Sequence, residues 1–218
     1  MAYIILEETI PLFLKLSTDD GGFGLSSSAI GFILSISGGV MLLFTFFILP
    51  KLASQSKLWM FRKGIYYAIP LAFGWPLLAI IEHQYLIKTK YQFLISRSLL
   101  VLISVLKSVF SCMSLTAVTI QINHSCPDEN LGAVNGLGQS FASLSRCIGP
   151  AFGGLLWSIS IRNHFIFTNF ISVGMILLMC LYVSFLLPKS IDFKRKNHRF
   201  NTVSITETDG TMVIHHEQ

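Results

Sequence analysis

The sequence predicts an all-α membrane protein with six transmembrane helices. Of its 218 residues, 52% are hydrophobic and 12% are charged, and the mean hydropathy is +0.64. The charges gather in clusters between long uncharged runs, which is typical of a multi-pass membrane protein. Three runs, 21–50, 64–81 and 163–188, lack Asp, Glu, Lys and Arg, and each is long enough to cross a bilayer as a helix.

The first three predicted spans differ in their polar content. Span one covers residues 2–16 and is short, with Glu7 and Glu8 in its middle. Span two covers 26–49, and its small residues predict a face for close helix contact, formed by Gly31, Ser35, Gly38 and Gly39. Span three covers 64–81 and is expected to be kinked by Pro70, Gly74 and Pro76.

The last three predicted spans cover residues 93–122, 131–157 and 164–187. The fourth span has a polar face formed by Arg97, Ser104, Ser108 and Ser111. Lys107 lies about 80° away from this face. Basic residues in 50–63 indicate a cytosolic loop, and 82–92 and 158–163 are expected to be the shorter loops. The predicted domain is therefore 1–188, followed by a polar, disordered cytosolic tail at 189–218.

The fifth span carries a polar row along an otherwise apolar helix. At about 100° per residue, its members fall within roughly a quarter-turn of one another: Asn135, Gln139, Ser143, Arg146, Pro150 and Gly153. Arg146 would lie near the middle of a ~30 Å hydrocarbon layer, where an arginine is costly unless it faces protein or water. We therefore expect this row to line an aqueous pathway.

The distribution of basic residues predicts the orientation in the membrane. Residues 50–63 hold four Lys or Arg and the tail holds five, nine in all, against Lys15, Lys88, Lys90 and Arg162 on the opposite side. By the positive-inside rule, the tail and, after six spans, the N-terminus are cytosolic. The net charge of +5 does not indicate nucleic acid binding, because the basic residues mark span ends.

The charges inside the spans are the candidates for function: Glu7, Glu8, Arg97, Lys107 and Arg146. A buried acid that exchanges a proton beside a basic group is a common way to couple transport to a gradient, and Glu8 is the expected acid. The alternative is a static pair of Glu8 with Arg146 or Lys107 that sets the helix register. Both interpretations remain open at this point.

Helix packing is expected around Pro150 in the fifth span. Gly149 and Gly153 form a GxxxG pair that allows two backbones to approach closely, and Gly154 follows. Static packing would use the same pattern, so the polar row upstream is what favours a functional role.

Other classes of function lack the residues they need. No nucleotide-binding loop, HExxH, Gly-x-Ser-x-Gly or arranged Ser/His/Asp set is present, so neither an enzyme nor a cofactor is expected. Four cysteines without metal-ligand spacing are expected to be small core residues rather than a metal site: Cys112, Cys126, Cys147 and Cys180. The sequon at Asn123 lies on the predicted cytosolic side and should stay unglycosylated.

The motifs between Asn123 and Gly154 resemble the tenth-to-eleventh helix region of the major facilitator superfamily. They read NHSCP, LGAVNGLGQS, SLSR and IGPAFGG, and ETIPLF from Glu8 resembles an element of the seventh helix. The likeness covers residues 1–188 and is nearest to the fungal and plant drug:proton antiporter-like or zinc-induced-facilitator-like branch. It implies one half of a twelve-helix fold, built from two inverted three-helix repeats, in which Glu8, Asn135, Gln139 and Arg146 face a central cavity.

This resemblance leads to two hypotheses about function. The first is a half-length transporter that moves a small organic solute or metal chelate, with proton exchange through Glu8, and that pairs with a second half-transporter chain or another copy of itself. The second is a non-transporting truncated remnant or regulatory membrane subunit. Both hypotheses place the chain in a lipid bilayer. The sequence does not distinguish between the plasma, vacuolar and endoplasmic reticulum membranes.

Overall fold

Seven α-helices and one pair of strands make up the part of the chain that the structure describes. The computed structural model describes residues 1–54, 56–84, 90–125, 128–163, 165, 167–186, 204–208 and 211–215. In chain order the helices are α1 (Ala2–Lys15), α2 (Ser27–Phe47), α3 (Leu49–Ala53), α4 (Lys57–Gln84), α5 (Lys90–His124), α6 (Leu131–Arg162) and α7 (Thr168–Leu186). A 3-10 turn at Asp128–Asn130 precedes α6.

Four of these helices, α2, α4, α5 and α7, are long and apolar enough to cross a membrane. Helix α1 has 14 residues and is therefore ~21 Å long, shorter than a ~30 Å hydrocarbon layer. Helix α6 has 32 residues, but its polar row lowers its hydropathy. The structure thus supports an integral membrane protein, and membrane crossing by α1 and α6 stays a prediction.

Several segments that the sequence assigns to loops are helical. Residues 57–63 form the first turns of α4, and α6 continues to Arg162 instead of ending at Trp157. Short α3 begins at Leu49, the last residue of the predicted second span, and otherwise lies within the predicted loop at 50–63. Lysine, arginine and serine are compatible with a helix, so the charges mark where the chain meets water and not where the helix ends.

The turn between α1 and α2 brings these two helices side by side. The backbone amides of Gly24 and Leu25 donate to the carbonyls of Leu16, at 2.7 Å, and Leu14, at 2.9 Å. Gly24 has a φ of +58°, which a residue with a side chain rarely adopts. The hydroxyl of Ser26 then accepts from the amide of Ala29 and caps the start of α2.

The main core lies where α1, α4 and α7 meet. Phe13, Trp75 and Phe170 are fully buried there, and the rings of Phe13 and Phe170 contact edge to face with centroids 5.0 Å apart. Helices α4 and α5 pack closely beside this core, and a side chain at Gly64 would collide with Ser114. The resulting bundle fixes the polar faces of α1, α5 and α6 relative to one another.

The small-residue face of α2 has no partner in the described part of the chain. A Cβ atom added at Gly31, Gly38 or Gly39 would have no heavy atom within 4 Å, and Ser35 is exposed. No described helix therefore makes the close contact predicted for this face, and the contact stays a prediction. The packed face of α2 is instead the one with Ile33 and Phe44, because large apolar side chains bury more area than glycine does.

The C-terminal tail is described only in part. Strands β1 (Ser204–Thr208) and β2 (Thr211–His215) pair antiparallel, with Ser204 opposite His215. The rest of 189–218, for which the sequence predicts disorder, lies outside the described residues.

Candidate functional site

The polar row on α6 is solvent-accessible over its first half. Gln139, Ser143 and Arg146 are exposed, and Asn135 is half-buried. Arg146 is 15 residues from the start of α6 and 16 from its end, so it lies midway along a helix ~48 Å long. The structure thus places an accessible guanidinium group at the middle of the helix.

The second half of the row packs against α1. A Cβ atom at Gly149 would lie 3.0 Å from Cγ2 of Ile4, and one at Gly153 would lie 3.3 Å from Cγ2 of Ile5. Glycine is therefore what allows the two backbones to approach here. Gly154, in contrast, has nothing within 4 Å of an added Cβ among the described residues.

Pro150 lies inside α6 between the two packed glycines. Because proline has no amide hydrogen, the carbonyl of Arg146 loses its usual helical donor. Arg146 thus has both an exposed guanidinium group and a backbone carbonyl without its usual helical hydrogen bond.

The contacts fix the relative direction of α1 and α6. Positions along α1 contact positions along α6 in the same order, from Ile4 at Gly149 to Phe13 at Trp157, whose ring centroids are 6.5 Å apart. The two helices therefore run in the same direction, and the part of α6 before Gly149 lies beyond the start of α1. This geometry is the physical reason for the exposure of Arg146.

A buried hydrogen-bond junction joins α1, α6 and α7. The side-chain amide nitrogen of Asn169 donates to the hydroxyl of Thr9 at 3.0 Å and to the carbonyl of Gly153 at 3.1 Å. Asn169 is 0% exposed and Thr9 is 1% exposed. The sequence analysis did not indicate Thr9 or Asn169. An asparagine within an uncharged apolar span was the signal that could have identified this junction.

A row of polar side chains on α5 faces the interior of the helix bundle. The buried members are Ser104, Lys107, Ser111 and Ser114. The sequence placed Arg97, Ser104, Ser108 and Ser111 on one face and Lys107 to the side of it, whereas the structure buries Lys107 and leaves Ser108 half-buried. The inward face is therefore centred on the lysine.

Two contacts join this face of α5 to α1. The ammonium nitrogen of Lys107 lies 3.6 Å from Oε1 of Glu7, and the hydroxyl of Tyr3 contacts Oγ of Ser114 at 3.0 Å. The Glu7 side chain is 59% exposed, whereas that of Lys107 is 9% exposed. The acid that pairs with Lys107 is thus Glu7, and the proposed static pair of Glu8 with Lys107 is wrong.

Glu8 lies on another side of α1 because neighbouring residues differ by about 100° around a helix. It is exposed and, like Arg146, forms no ion pair with any described residue. Arg146 lies ~4.5 Å before the Ile4–Gly149 contact and Glu8 ~6 Å after it, so they are about 10 Å apart along the axis. The structure thus shows no static Glu8–Arg146 pair in this conformation.

Arg97 lies apart from these groups, at the other end of α4 and α5. Its guanidinium nitrogen is 3.4 Å from Oε1 of Glu82, and Ser96 donates to Oε2 of the same carboxylate at 2.7 Å. The structure therefore brings Arg97 to Glu82 and not to Glu8 or Arg146. Among the described residues, no three His, Cys, Asp or Glu side chains come together as metal ligands.

The bundle of apolar helices with charges between them defines the class of this chain as an integral membrane protein. It is 28% identical over 156 residues to a probable peptide/nitrate transporter of Arabidopsis thaliana, covering 71% of this chain and 30% of that protein. It is 25% identical over 199 residues to the multidrug transporter mfsB of Aspergillus fumigatus, covering 86% and 31%. It is 28% identical over 147 residues to ZINC INDUCED FACILITATOR 1 of Arabidopsis thaliana, covering 66% and 28%.

These matches support membership of the major facilitator superfamily. The relatives are transporters and not enzymes, which agrees with the exclusion of an enzyme from the sequence. The chain spans about 30% of the length of the curated relatives it matches. No family model and no solved structure matches the chain.

Proposed function

We propose that this chain forms helices seven to twelve of a major-facilitator-type transporter that moves a small organic solute or a metal chelate. Proton exchange at Glu8 couples the movement to a gradient. The observation that carries the proposal is the exposure of Arg146 at mid-helix together with that of Glu8 on the neighbouring helix. The similarity to transporters supports a transporter in general, and the motifs from Asn123 to Gly154 favour the drug:proton antiporter-like or zinc-induced-facilitator-like branch.

The cost of a charge in lipid explains why these exposed groups indicate a pathway. Insertion scales give ~2.5–3.5 kcal/mol for an arginine or an aspartate at the centre of a membrane helix. The free-energy cost of two such charges facing lipid would be a substantial fraction of the unfolding free energy of a domain. Arg146 and Glu8 therefore face water or protein, as the walls of a solute cavity do.

A second set of helices completes the cavity, from a separate half-transporter chain or from another copy of this one. Two surfaces are available for it: the small-residue face of α2, which has no contact with the described residues, and the exposed row of α6. The two halves of this superfamily are parallel repeats related by an axis along the membrane normal. A two-fold axis between two copies would have the same direction, with all termini in the cytosol.

The test is flux through proteoliposomes that contain the full chain and a lumenal pH dye. Organic cations, carboxylates and metal chelates are added in turn under an imposed proton gradient. At least one solute should move protons in the wild type, Glu8→Gln should abolish proton movement, and Arg146→Ala should abolish solute flux. Lys15→Gln, a charge change on the exposed last turn of α1, is the matched control and should keep wild-type flux. Alkaline extraction confirms that each variant is inserted. Wild-type flux in both Glu8→Gln and Arg146→Ala would refute these roles.

A second candidate is a non-transporting truncated remnant or a subunit that modulates a full-length relative. The observation in its favour is that Lys107 and Arg97 are paired with Glu7 and Glu82, as static helix packing alone requires. It predicts retention in the endoplasmic reticulum, rapid turnover and no flux for any solute. Pulse-chase labelling, measured beside the flux assay, distinguishes it from the first proposal.

A further inference from the structure

The inward face of α5 contains a lysine whose surroundings differ from those of the other basic residues. Its ammonium group is nearly enclosed, with 9% of the side chain exposed, and it lies within the span. Among the described residues, the one acid beside it is Glu7, at 3.6 Å. An ammonium group has three donors, so this single contact leaves hydrogen-bonding capacity unused.

The distance to Glu7 shows that the pair is loose. Charge-assisted hydrogen bonds between an ammonium and a carboxylate are usually ~2.7–2.9 Å long, which is well below 3.6 Å. The Glu7 side chain is also 59% exposed, so little packing holds it in place. The carboxylate therefore covers the lysine from the accessible side and is held weakly.

A second polar group lies one turn away from the lysine. Ser104 is 2% exposed, and its hydroxyl has no hydrogen-bond partner among the described residues. Residues three apart lie on the same side of a helix, so Ser104 and Lys107 share the inward face of α5. A buried hydroxyl without a partner normally carries a free-energy cost, which a ligand oxygen would remove.

We propose that Lys107 and Ser104 bind a carboxylate group of the transported solute, and that Glu7 occupies this position when the solute is absent. The inference rests on the proposed transport function and names its substrate class as carboxylate-bearing solutes. Because Glu7 is itself a carboxylate, it shows which group the ammonium accepts. One lysine and one hydroxyl match the single negative charge of a carboxylate better than the higher charge of a phosphate group.

Exchange between the two carboxylates keeps the lysine paired throughout. Removing one partner of a buried ion pair is strongly unfavourable, because the remaining charge is left without compensation. When the solute carboxylate contacts Lys107, the Glu7 side chain can turn to the accessible side of α1. The site is distinct from Glu8, which lies about 100° around α1 from Glu7.

The experiment measures binding of benzoate to the purified full chain in lipid nanodiscs by titration calorimetry. Benzamide and benzylamine, of similar size but neutral or cationic, are the comparison probes. Wild type should bind benzoate and neither of the others. Glu7→Gln removes the competing carboxylate and should tighten benzoate binding about tenfold, which corresponds to ~1.4 kcal/mol. Lys107→Gln should abolish binding, and Ser104→Ala should weaken it several-fold, as expected for one hydrogen bond.

Matched controls separate this site from a general effect of charge. Lys15→Gln and Asp19→Asn make the same charge changes at exposed positions and should leave benzoate binding unchanged. Tighter binding in Glu7→Gln cannot result from misfolding, so the test does not depend on a loss alone. The double variant Glu7→Gln/Lys107→Gln removes both charges together and should be inserted but unable to bind benzoate.

Two results would overturn the site: benzoate binding in Glu7→Gln no tighter than in wild type, or binding that persists in the double variant. The outcome is independent of the flux assay. Binding that follows the expected pattern without flux would leave the site standing and refute transport by this chain. Flux together with benzoate binding that does not depend on Lys107 would support transport by this chain and refute the proposed site.

Discussion

Replacing Gly149 by alanine tests the close contact between α1 and α6. The added Cβ would lie 3.0 Å from Cγ2 and 3.3 Å from Cβ of Ile4, closer than carbon atoms usually pack. Overpacking of this kind costs ~1–3 kcal/mol. Alanine also favours the helix by ~1 kcal/mol over glycine, so the net effect of Gly149→Ala alone is small or unfavourable.

Gly154→Ala is the control that isolates the contact. It lies on the same helix and gains the same helix propensity, but its Cβ has no described heavy atom within 4 Å. The difference in unfolding free energy between the two variants is therefore the clash itself, ~1–3 kcal/mol. Gly153→Ala, with its nearest contact at 3.3 Å from Ile5, should fall between them.

The assay is unfolding of the full chain in mixed micelles by increasing fractions of sodium dodecyl sulfate, followed by tryptophan fluorescence. Trp157 is suited to report on this interface, because its ring contacts Phe13 of α1. Ile4→Ala removes the atom that Gly149→Ala meets, so the double variant should regain stability with a coupling of ~0.5–3 kcal/mol. Equal unfolding midpoints for Gly149→Ala and Gly154→Ala would show that the helices do not touch here.

Two further predictions concern the buried junction and the orientation. Asn169→Leu removes the hydrogen bonds to Thr9 and Gly153 and should lower the unfolding free energy by ~0.6–2 kcal/mol. Asn163→Leu at the exposed end of α6 is its control, and equal stability of the two variants would contradict the role of the junction. If both termini are cytosolic, Asn123 should stay unglycosylated in microsomes, whereas an engineered sequon at 86–88 should be modified. Glycosylation at Asn123 would reverse the assigned orientation.

The positions of the helices could largely be predicted because a bilayer leaves the backbone few alternatives. Without water to satisfy its amides and carbonyls, an apolar segment forms a helix, so uncharged runs locate helices directly. Their ends are harder to predict, since a helix can continue past the membrane boundary into a charged segment. This is why α4 begins at Lys57, seven residues before the predicted span.

The direction in which each face points could not be predicted in the same way. Helical spacing gives the angle between Glu7 and Glu8, but not which of them faces α5. That depends on which helices are neighbours, and a contact such as Tyr3 to Ser114 joins residues 111 positions apart. The sequence therefore indicated the charged residues of the spans, but its static-pair alternative named Glu8 instead of Glu7, and its polar face on α5 left Lys107 to one side.

The glycines show the same difference between pattern and context. Both α2 and α6 carry small residues at helical spacing, yet only those of α6 meet a neighbouring helix in the described chain. A small-residue face permits close approach without supplying a partner. On α6 the partner is α1, held in place by the aromatic contact of Phe13 with Trp157 and by the Asn169 junction.

The arrangement of charges suggests how one short helix can serve two environments. Glu7 on α1 faces the buried ammonium of Lys107, while Glu8 is exposed on another side of α1, and Arg146 is exposed on α6. Arg146 and Glu8 are about 10 Å apart along the axis and form no ion pair with each other in this conformation. A rigid connection between α1 and α6 preserves this spacing, and it is provided by Gly149 and Gly153. If the spacing matters for the solute, Gly149→Ala should reduce flux even where the chain remains folded, whereas Gly154→Ala should not.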